Sequence, residues 1–328
     1  MNRSATKSIK KERFMKKKTG IHILMIIFAG IFLFSAGKII WTLAEQYREE
    51  EAFEKMAAEL SKAAGSSGQD TGGPAGETED YFPVTENYGT GTEAGEDTGD
   101  KAEEYEKAAP KERTVMETDS ATGVLTPYLA FYEKNPDFYG WICIEGTKVN
   151  YPVMFTPTDP EYYLRRAFDK TDAQSGTPFL DASCTEDGNL YIVYGHRMKN
   201  RTMFGTLPYY EKKAYWAEHP YIYFDTLYEQ GMYEIVAAFY SKVYKEEETG
   251  FRYYRYKQLT DEQTFADFKE GVESSALYKT DEELVFGDKV LLLSTCSYHT
   301  EEGRFVVVAK KIPEEKKSGN RPENPDIW

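Results

Sequence analysis

The sequence has few of the residues that build disulfide frameworks and metal sites. Its 328 residues include three cysteines and four histidines, and no Cys-x-x-Cys pair occurs. An exported domain that relied on disulfides would normally show an even number of cysteines, so we expect no structural bridge. The histidines are scattered, and the chain has no glycine-rich phosphate-binding loop. The sequence therefore predicts no metal ion and no other cofactor.

Positive charge is also scarce. The chain has 40 Lys and Arg against 55 Asp and Glu, which gives a formal net charge of −15. An acidic protein repels phosphate backbones, so nucleic acid is not expected as a partner. Hydrophobic residues make up 41% and aromatic residues 15% of the chain. This composition excludes a wholly disordered or collagen-like protein.

The N-terminal region has the pattern of a membrane anchor. Residues 1–20 hold eight basic side chains and one acid, and residues 21–43 form an apolar run whose only formal charge is Lys38. About 20 apolar residues cross the hydrocarbon layer as a helix, and the preceding positive charges favour a cytoplasmic N-terminus. We expect a single-pass protein whose main body faces the cell wall. The alternative is a cleaved secretory signal processed near Ser35-Ala36-Gly37, which also exports the body.

Composition divides the exported part into three regions. Residues 44–117 are acidic: 44–64 are rich in strong helix formers, and 65–109 are too polar and glycine-rich to bury a core. We interpret residues 44–117 as a stalk that is first helical and then disordered. Residues 118–312 are predicted to form the folded domain, and residues 313–328 a C-terminal tail.

The folded domain is predicted to be mainly β. Short runs of β-branched and aromatic residues alternate with turn residues and lack regular βαβ alternation, which favours a barrel or sandwich. The eight predicted strands are Gly140–Ile144, Val149–Met154, Thr177–Leu180, Leu190–Tyr194, Tyr221–Phe224, Met232–Ser241, Val290–Ser294 and Phe305–Lys310.

Two helices accompany these strands. The first begins near Leu125 and ends at Asn135-Pro136, because proline interrupts the hydrogen-bond ladder. The second covers Asp261–Tyr278, with Thr260 and Gln263 as a capping box. Its apolar residues recur along one face, so we expect this helix to lie across the barrel.

The three cysteines differ in their surroundings. Cys143 lies in a strand, where alternation makes it a small buried hydrophobe, and Cys184 lies in a turn with little sign of reactivity. Cys296 ends the apolar strand DKVLLLSTC and precedes a polar loop. A thiol at the end of a rigid strand is fixed in position yet open to substrate, as a nucleophile must be.

A cysteine nucleophile needs a proton partner, because an unperturbed thiol with a pKa of ~8.5 is only a few per cent ionised at neutral pH. His196 is our candidate, since it follows the strand LYIVY where that strand gives way to a loop. His219 precedes Pro220 and is better explained as a surface or capping residue. His299 follows Cys296 by three residues and is a weaker candidate that would contact substrate.

Arg304 is the candidate for stabilising an oxyanion. It opens the strand that follows the Cys296 loop, so an antiparallel hairpin would place the two residues about 5 Å apart at the backbone. A guanidinium is always charged and directs several donors towards oxygen atoms. Most arginines at strand edges are simply solvated, but adjacency to the thiol favours a catalytic role here.

These residues resemble a known family. Leu293–Cys296 (LSTC), Gly303-Arg304 on the next strand and Tyr194-Gly195-His196 about a hundred residues earlier resemble the Cys, His and Arg triad of sortases. NPDFYGWICIEGTKVNYPV, YGHRMKNRTMFGTLPYY, the helix before the cysteine strand and the N-terminal anchor are similar to class B sortases. The chain departs from the family signature Thr-Leu-x-Thr-Cys in having Leu292 at the first Thr position.

The resemblance implies a cysteine transpeptidase on an eight-stranded β-barrel, with a long helix inserted before the cysteine strand. Cys296 would attack the Thr carbonyl in a sorting signal of a secreted protein, with His196 as general acid. An amine from a peptidoglycan precursor or a pilin would then resolve the thioacyl intermediate. Arg304 would steady the oxyanion, and the backbone or hydroxyl of Thr295 would add a donor.

Substrate selection is expected from residues 242–289. The individual substrate-binding candidates are Ser294, Thr295, Tyr298, Met198 and Phe204, and core packing is the alternative explanation for the last three. Two other functions remain open at this point. One is a non-catalytic surface module in which Cys296 is merely buried, and the other is a hydrolytic cysteine peptidase in which water replaces the amine.

Overall fold

The computed structural model describes residues 3–65, 105–185 and 188–313. The chain divides into two compact units, residues 1–51 and residues 52–328. The predicted tail and most of the stalk region predicted to be disordered, residues 66–104, lie outside the described residues.

The first unit is formed by the greater part of helix α1, whose bounds are Arg3–Ala63. The described apolar side chains between Met25 and Leu43 are mostly exposed. The stretch Ile27–Ala63 contains an 18-residue window with a mean hydropathy of 1.8, which is apolar and long enough to cross a membrane. The strong helix formers that begin at residue 44 are helical as far as Ala63.

The second unit contains a closed eight-stranded barrel, which confirms the predicted fold class. The strands follow the order β1-β2-β3-β4-β7-β8-β6-β5 around the barrel. Every predicted strand is present, with its ends displaced by at most two residues. Their bounds are β1 Phe138–Cys143, β2 Asn150–Met154, β3 Phe179–Leu180, β4 Leu190–Tyr194, β5 Tyr221–Thr226, β6 Met232–Lys242, β7 Val290–Cys296 and β8 Gly303–Lys311.

In the described part of the chain, four short 3-10 helices and three further α-helices precede β1 or connect the strands. The 3-10 helices are Thr126–Tyr128, Tyr162–Arg165, Leu207–Glu211 and Tyr253–Arg255, and the α-helices are α2 Leu129–Lys134, α3 Lys213–Glu218 and α4 Glu262–Ser275. The predicted first helix is thus a 3-10 turn followed by α2.

Strand β7 shows why the apolar run in the sequence is almost continuous. Leu291 and Leu293 belong to the core cluster inside the barrel, whereas Val290 and Leu292 belong to a second buried cluster on its outer face. Phe268 of α4 packs into this outer cluster, so the strand is buried on both faces. The prediction that the second helix lies across the barrel is confirmed, and Leu292 is buried beneath it.

The N-terminus of α4 differs from the prediction. Asp261 is the N-cap, and its carboxylate accepts a hydrogen bond of 2.9 Å from the backbone N–H of Thr264. The predicted capping box of Thr260 and Gln263 is therefore wrong. Aspartate and threonine are both good N-caps, and the extended backbone at Asp261 decides between them.

The folded unit is larger than residues 118–312. The end of α1 packs on the barrel through Phe53, whose ring meets that of Tyr151 edge-on at 5.3 Å, and through Leu60. Residues 105–117 also lie against the barrel, where Arg113 forms a double hydrogen bond with the buried carboxylate of Asp225. Parts of the acidic segment predicted as a stalk therefore belong to the folded unit.

Candidate active site

Two neighbouring parallel strands bring His196 and Cys296 to the same edge of the barrel. Strands β4 and β7 pair in parallel with Tyr194 opposite Ser294. The ladder continues for one more step, because the backbone N–H of Gly195 donates to the Ser294 carbonyl at 3.1 Å. His196 lies two residues beyond Tyr194, and Cys296, the last residue of β7, lies two residues beyond Ser294, so the register places them level with each other at this edge.

The antiparallel pair on the other side of β7 places Arg304. Strands β7 and β8 pair with Cys296 directly opposite Arg304, as the hairpin argument predicted. Ser294, Cys296 and Arg304 all fall on the outward-facing parity of their strands, since Leu293 and Phe305 face the interior. Cys296 is therefore flanked by the His196 strand on one side and by Arg304 on the other, on the outer face of the barrel edge.

His196 is half-buried, and its ring is oriented by a backbone carbonyl. Its Nε2 lies 2.8 Å from the carbonyl oxygen of Leu164, in the 3-10 helix between β2 and β3. A carbonyl can only accept, so this contact assigns the ring proton of neutral His196 to Nε2 and leaves Nδ1 as the acceptor. Burial lowers the pKa of His196; the Leu164 carbonyl opposes this, and the nearby Arg165 cation adds to it.

Arg304 is held by its own loop. Its guanidinium donates to the carbonyls of Gly303 at 3.0 Å and Glu302 at 3.3 Å, and it lies 3.7 Å from the Glu302 carboxylate. Both Arg304 and Cys296 act electrostatically on the buried phenol of Tyr253, which places all three groups in one neighbourhood. Burial raises the pKa of Tyr253 to about 12.

Ser294 and Thr295 are structural parts of the site. Their side chains are buried, and the Ser294 hydroxyl lies 2.7 Å from that of Tyr253. The Thr295 hydroxyl donates to the Gly195 carbonyl at 2.8 Å. Both hydroxyls are thus occupied within the protein, which corrects the expectation that they contact substrate, including the Thr295 hydroxyl as an oxyanion donor.

The other substrate-binding candidates fall in different environments. Phe204 is fully buried in the barrel interior, so its ring contributes to the core and offers no surface to a substrate. Met198 is partly buried against the same core. Tyr298 is 54% exposed and stacks with the Arg197 guanidinium, 5.1 Å from its ring centre.

The other two histidines of the catalytic unit, His219 and His299, lie in different surroundings from His196. His219 Nδ1 lies 2.9 Å from the Glu145 carbonyl, which gives it the structural role expected from the sequence. His299 lies in the loop after Cys296, with its Nδ1 3.0 Å from the Ser297 hydroxyl and its ring packed on Tyr240.

Cys184 is buried, whereas Cys143, which was expected to be buried, is partly exposed, as is Cys296. All three are free thiols, and burial raises the pKa of both Cys143 and Cys184 to about 12, so neither forms a thiolate readily. Cys296 is partly exposed, which disfavours the surface module with a merely buried Cys296. Within the described residues, no cluster of His, Cys, Asp and Glu has the arrangement of a metal site.

Comparison with known proteins decides the family. The family model of the Sortase domain matches residues 142–312, more than half of the chain. The chain belongs to the sortase family. It is 30% identical to sortase B of Staphylococcus aureus over 214 residues, which cover 63% of this chain and 83% of the relative. It is also 30% identical to sortase B of Listeria monocytogenes over 183 residues, covering 54% and 71% respectively.

Solved structures agree with this assignment. Sortase B of Bacillus anthracis in complex with AAEK1 is 32% identical, with a TM-score of 0.51 and coverage of 60% of this chain and 88% of that one. The Staphylococcus aureus sortase B–substrate complex is 27% identical, with a TM-score of 0.52 and coverage of 58% and 87%. The chain is a class B sortase and a cysteine transpeptidase, as its motifs implied.

Two features of this sortase site were missed from the sequence. Leu164, which orients His196, is 32 residues away from it in the chain and belongs to no recognisable pattern. Tyr253 lies in the aromatic run FRYYRY within residues 242–289, which were expected to select substrate. The run itself was the available signal, but its contact with Ser294 depends on how this segment folds back onto β7.

Proposed function

We propose that this sortase is anchored in the cell membrane and cleaves the sorting signal of secreted proteins after a Thr. It then transfers the acyl group to an amine of a peptidoglycan precursor or a pilin. The observation that carries the proposal is the position of Cys296, flanked by His196 through the β4–β7 ladder and by Arg304 through the β7–β8 ladder. The similarity to the Staphylococcus aureus sortase B–substrate complex supports a sorting-signal peptide as the substrate.

In the first step the Cys296 thiolate attacks the Thr carbonyl carbon. A C–S bond forms, the scissile C–N bond breaks, and His196 gives its proton to the departing amine. Arg304 lies beside the thiol and stabilises the negative oxygen of the tetrahedral intermediate. The product is a thioacyl enzyme and a free C-terminal peptide.

In the second step the incoming amine attacks the thioester carbon. It loses a proton to His196 as the new C–N bond forms and the C–S bond breaks, which returns the thiolate. Because burial lowers the pKa of His196, the imidazolium required beside a thiolate is a minor form at neutral pH. Turnover is expected to be slow for this reason.

The membrane anchor and its orientation complete the proposal. Helix α1 is long and apolar enough to span a membrane, and eight basic residues precede its apolar stretch. These charges favour a cytoplasmic N-terminus. The catalytic unit then faces the cell wall, where sorting signals and amine acceptors meet.

The test uses the full chain in detergent micelles with peptides of the Asn-Pro-x-Thr and Ser-Pro-x-Thr types and triglycine as acceptor. We expect a ligated product in the mass spectrum of the wild type and none with Cys296→Ala, because burial raises the pKa of the other two thiols, Cys143 and Cys184. Cys143→Ala is the matched control and retains ligation. Ligation by Cys296→Ala contradicts the proposal, and a cleaved product that added amine does not change indicates a hydrolytic peptidase instead.

A further inference from the structure

The loop that follows His196 is strongly basic in an otherwise acidic protein. Residues 195–213 carry one acid, Glu211, in a chain with a net charge of −15. The basic residues of this stretch are Arg197, Lys199, Arg201, Lys212 and Lys213. We call residues 196–203 the His196 loop; it holds the first three of these cations.

The His196 loop has a fixed conformation. Arg197 forms an isolated β-bridge with Met203, and the backbone N–H of Phe204 donates to the His196 carbonyl at 3.0 Å. Arg201 and Met203 have positive φ angles of 67° and 54°, which give the loop its tight turn. A ligand therefore does not have to order the backbone that carries these charges.

These cations are available to a ligand. Lys199 and Arg201 are exposed. The Arg201 guanidinium lies over the Tyr209 ring, 5.9 Å from its centre, and this contact with a neutral ring does not cancel its charge. Arg197 stacks on the exposed ring of Tyr298, two residues after Cys296. This contact joins the His196 loop to the Cys296 loop immediately beside the two reacting residues.

Acids near the loop do not cancel its charge. Glu302 is paired with Arg304, and Glu211 accepts a hydrogen bond from the Tyr240 phenol. Glu301 is the remaining acid on the loop after Cys296. The surface beside His196 therefore presents more positive than negative charge.

We propose that the His196 loop, together with Tyr298, is the subsite for the amine acceptor and selects acceptors that carry an anionic group, a carboxylate or a phosphate, close to the amine. This inference rests on the proposed transpeptidation. The acceptor amine must come within hydrogen-bond reach of His196 to lose its proton, so the residues directly after His196 lie next to the rest of the acceptor. Complementary charge there raises the encounter rate and the selectivity.

The test compares two matched pairs of acceptors on the wild-type full chain. Gly-Glu is set against Gly-Gln, and Gly-phosphoserine against Gly-Ser, all as C-terminal amides, so that the anionic group lies one residue from the attacking amine. All four attack the same thioacyl enzyme, so the ratio of ligated products from mixed acceptors reports the second step alone and is independent of the amount of active enzyme. The two pairs distinguish carboxylate from phosphate as the preferred group.

We expect the anionic member of at least one pair to be favoured about two- to fivefold, the range for exposed charge pairs, and less so at high salt. The double variant Lys199→Gln/Arg201→Gln brings the ratio close to one. Lys148→Gln is the control and leaves the ratio unchanged. Lys148 lies on the turn between β1 and β2. This turn is at the opposite end of β2 from Met154, whose partner on β3 is Phe179.

Equal use of both members of each pair by the wild type overturns the inference, as does a preference that survives in the double variant. Both results leave the transpeptidation itself intact. Absence of ligation with every acceptor instead contradicts the proposed transpeptidation, and the subsite falls with it.

Discussion

The buried hydroxyl of Thr295 helps to align strands β4 and β7 at the end that carries the catalytic candidates. The Thr295 side chain bridges β7 to the Gly195 carbonyl, one residue before His196 on one strand and one residue before Cys296 on the other. Parallel strands have slanted and slightly weaker ladders than antiparallel ones. A side-chain hydrogen bond at the end of the β4–β7 ladder therefore helps to hold imidazole and thiol at a constant separation.

Replacing Thr295 with valine tests this role. The valine keeps the shape but removes the hydroxyl that donates to the partly buried Gly195 carbonyl, so we expect the free energy of unfolding to fall by about 0.5–1.5 kcal/mol. The ligation rate should fall with it, whereas Thr295→Ser, which retains the hydroxyl, should recover most of both. Urea unfolding and the single-turnover rate of acylation measure the two effects. A valine variant with wild-type acylation would show that the hydroxyl does not align the site.

At the scale of elements, the barrel is held from outside as well as inside. Helix α4 covers the outer face of β7. The 3-10 helix Tyr253–Arg255 contacts the same face, where the Tyr253 hydroxyl lies 2.7 Å from that of Ser294. Because the nucleophile strand is enclosed on both faces, its last residue is fixed although it lies at the barrel edge. The N-terminus of α4 depends on Asp261, whose carboxylate satisfies one of the first free N–H groups.

Removing this cap gives a clear prediction. Asp261→Ala should lower the free energy of unfolding, since the Thr264 N–H loses its partner and the helix dipole loses a favourable charge. Thr260→Ala, one residue earlier, is the matched control and should have a smaller effect. Denaturant unfolding of the two variants side by side measures the difference. A larger loss for Thr260→Ala would restore the capping box predicted from the sequence.

At the scale of the whole catalytic unit, segments far apart in the chain are joined by buried polar contacts. Asp225 is 1% exposed, and it accepts hydrogen bonds from Arg113, the Tyr128 hydroxyl and the Gly231 N–H. A buried carboxylate of this kind needs all its partners, because leaving it unpaired is costly. Residues 105–117 are therefore part of the catalytic unit.

The histidines of this unit make its stability depend on pH. Burial lowers the pKa of His196, His219 and His299 below the ordinary value. The unfolded chain then binds more protons than the native state as the pH falls through about 6.5, so the free energy of unfolding decreases. Most carboxylates titrate at lower pH, which makes the range from pH 7.5 to 5.5 specific for histidine.

Urea unfolding at several pH values in this range tests the prediction. His219→Gln should give a shallower decline than the wild type, because one of the three groups that gain protons on unfolding has been removed. The two proteins should differ least near pH 7.5, where histidine is neutral in both states. Identical slopes for wild type and variant would show that His219 is not protonated differently in the two states.

The local pattern of the sequence determined the strands, the apolar helix and the three catalytic candidates. Alternation and turn residues are read within a few positions, and the Cys296–Arg304 pair spans a single hairpin, so short-range rules were sufficient. The parallel pairing of β4 with β7 was less accessible, because it joins residues a hundred positions apart. The sequence motifs predicted that the ends of these two strands lie together, and the parallel register of Tyr194 with Ser294 gives the arrangement.

Only the tertiary structure decided which polar groups are enclosed and what they contact. Ser294, Thr295 and Phe204 occupy positions near the nucleophile in the sequence or its motifs, yet all three are buried. Leu164 orients His196 from a different loop. Burial and long-range hydrogen bonds depend on how separate segments pack together in space, and a pattern confined to neighbouring residues does not contain that information.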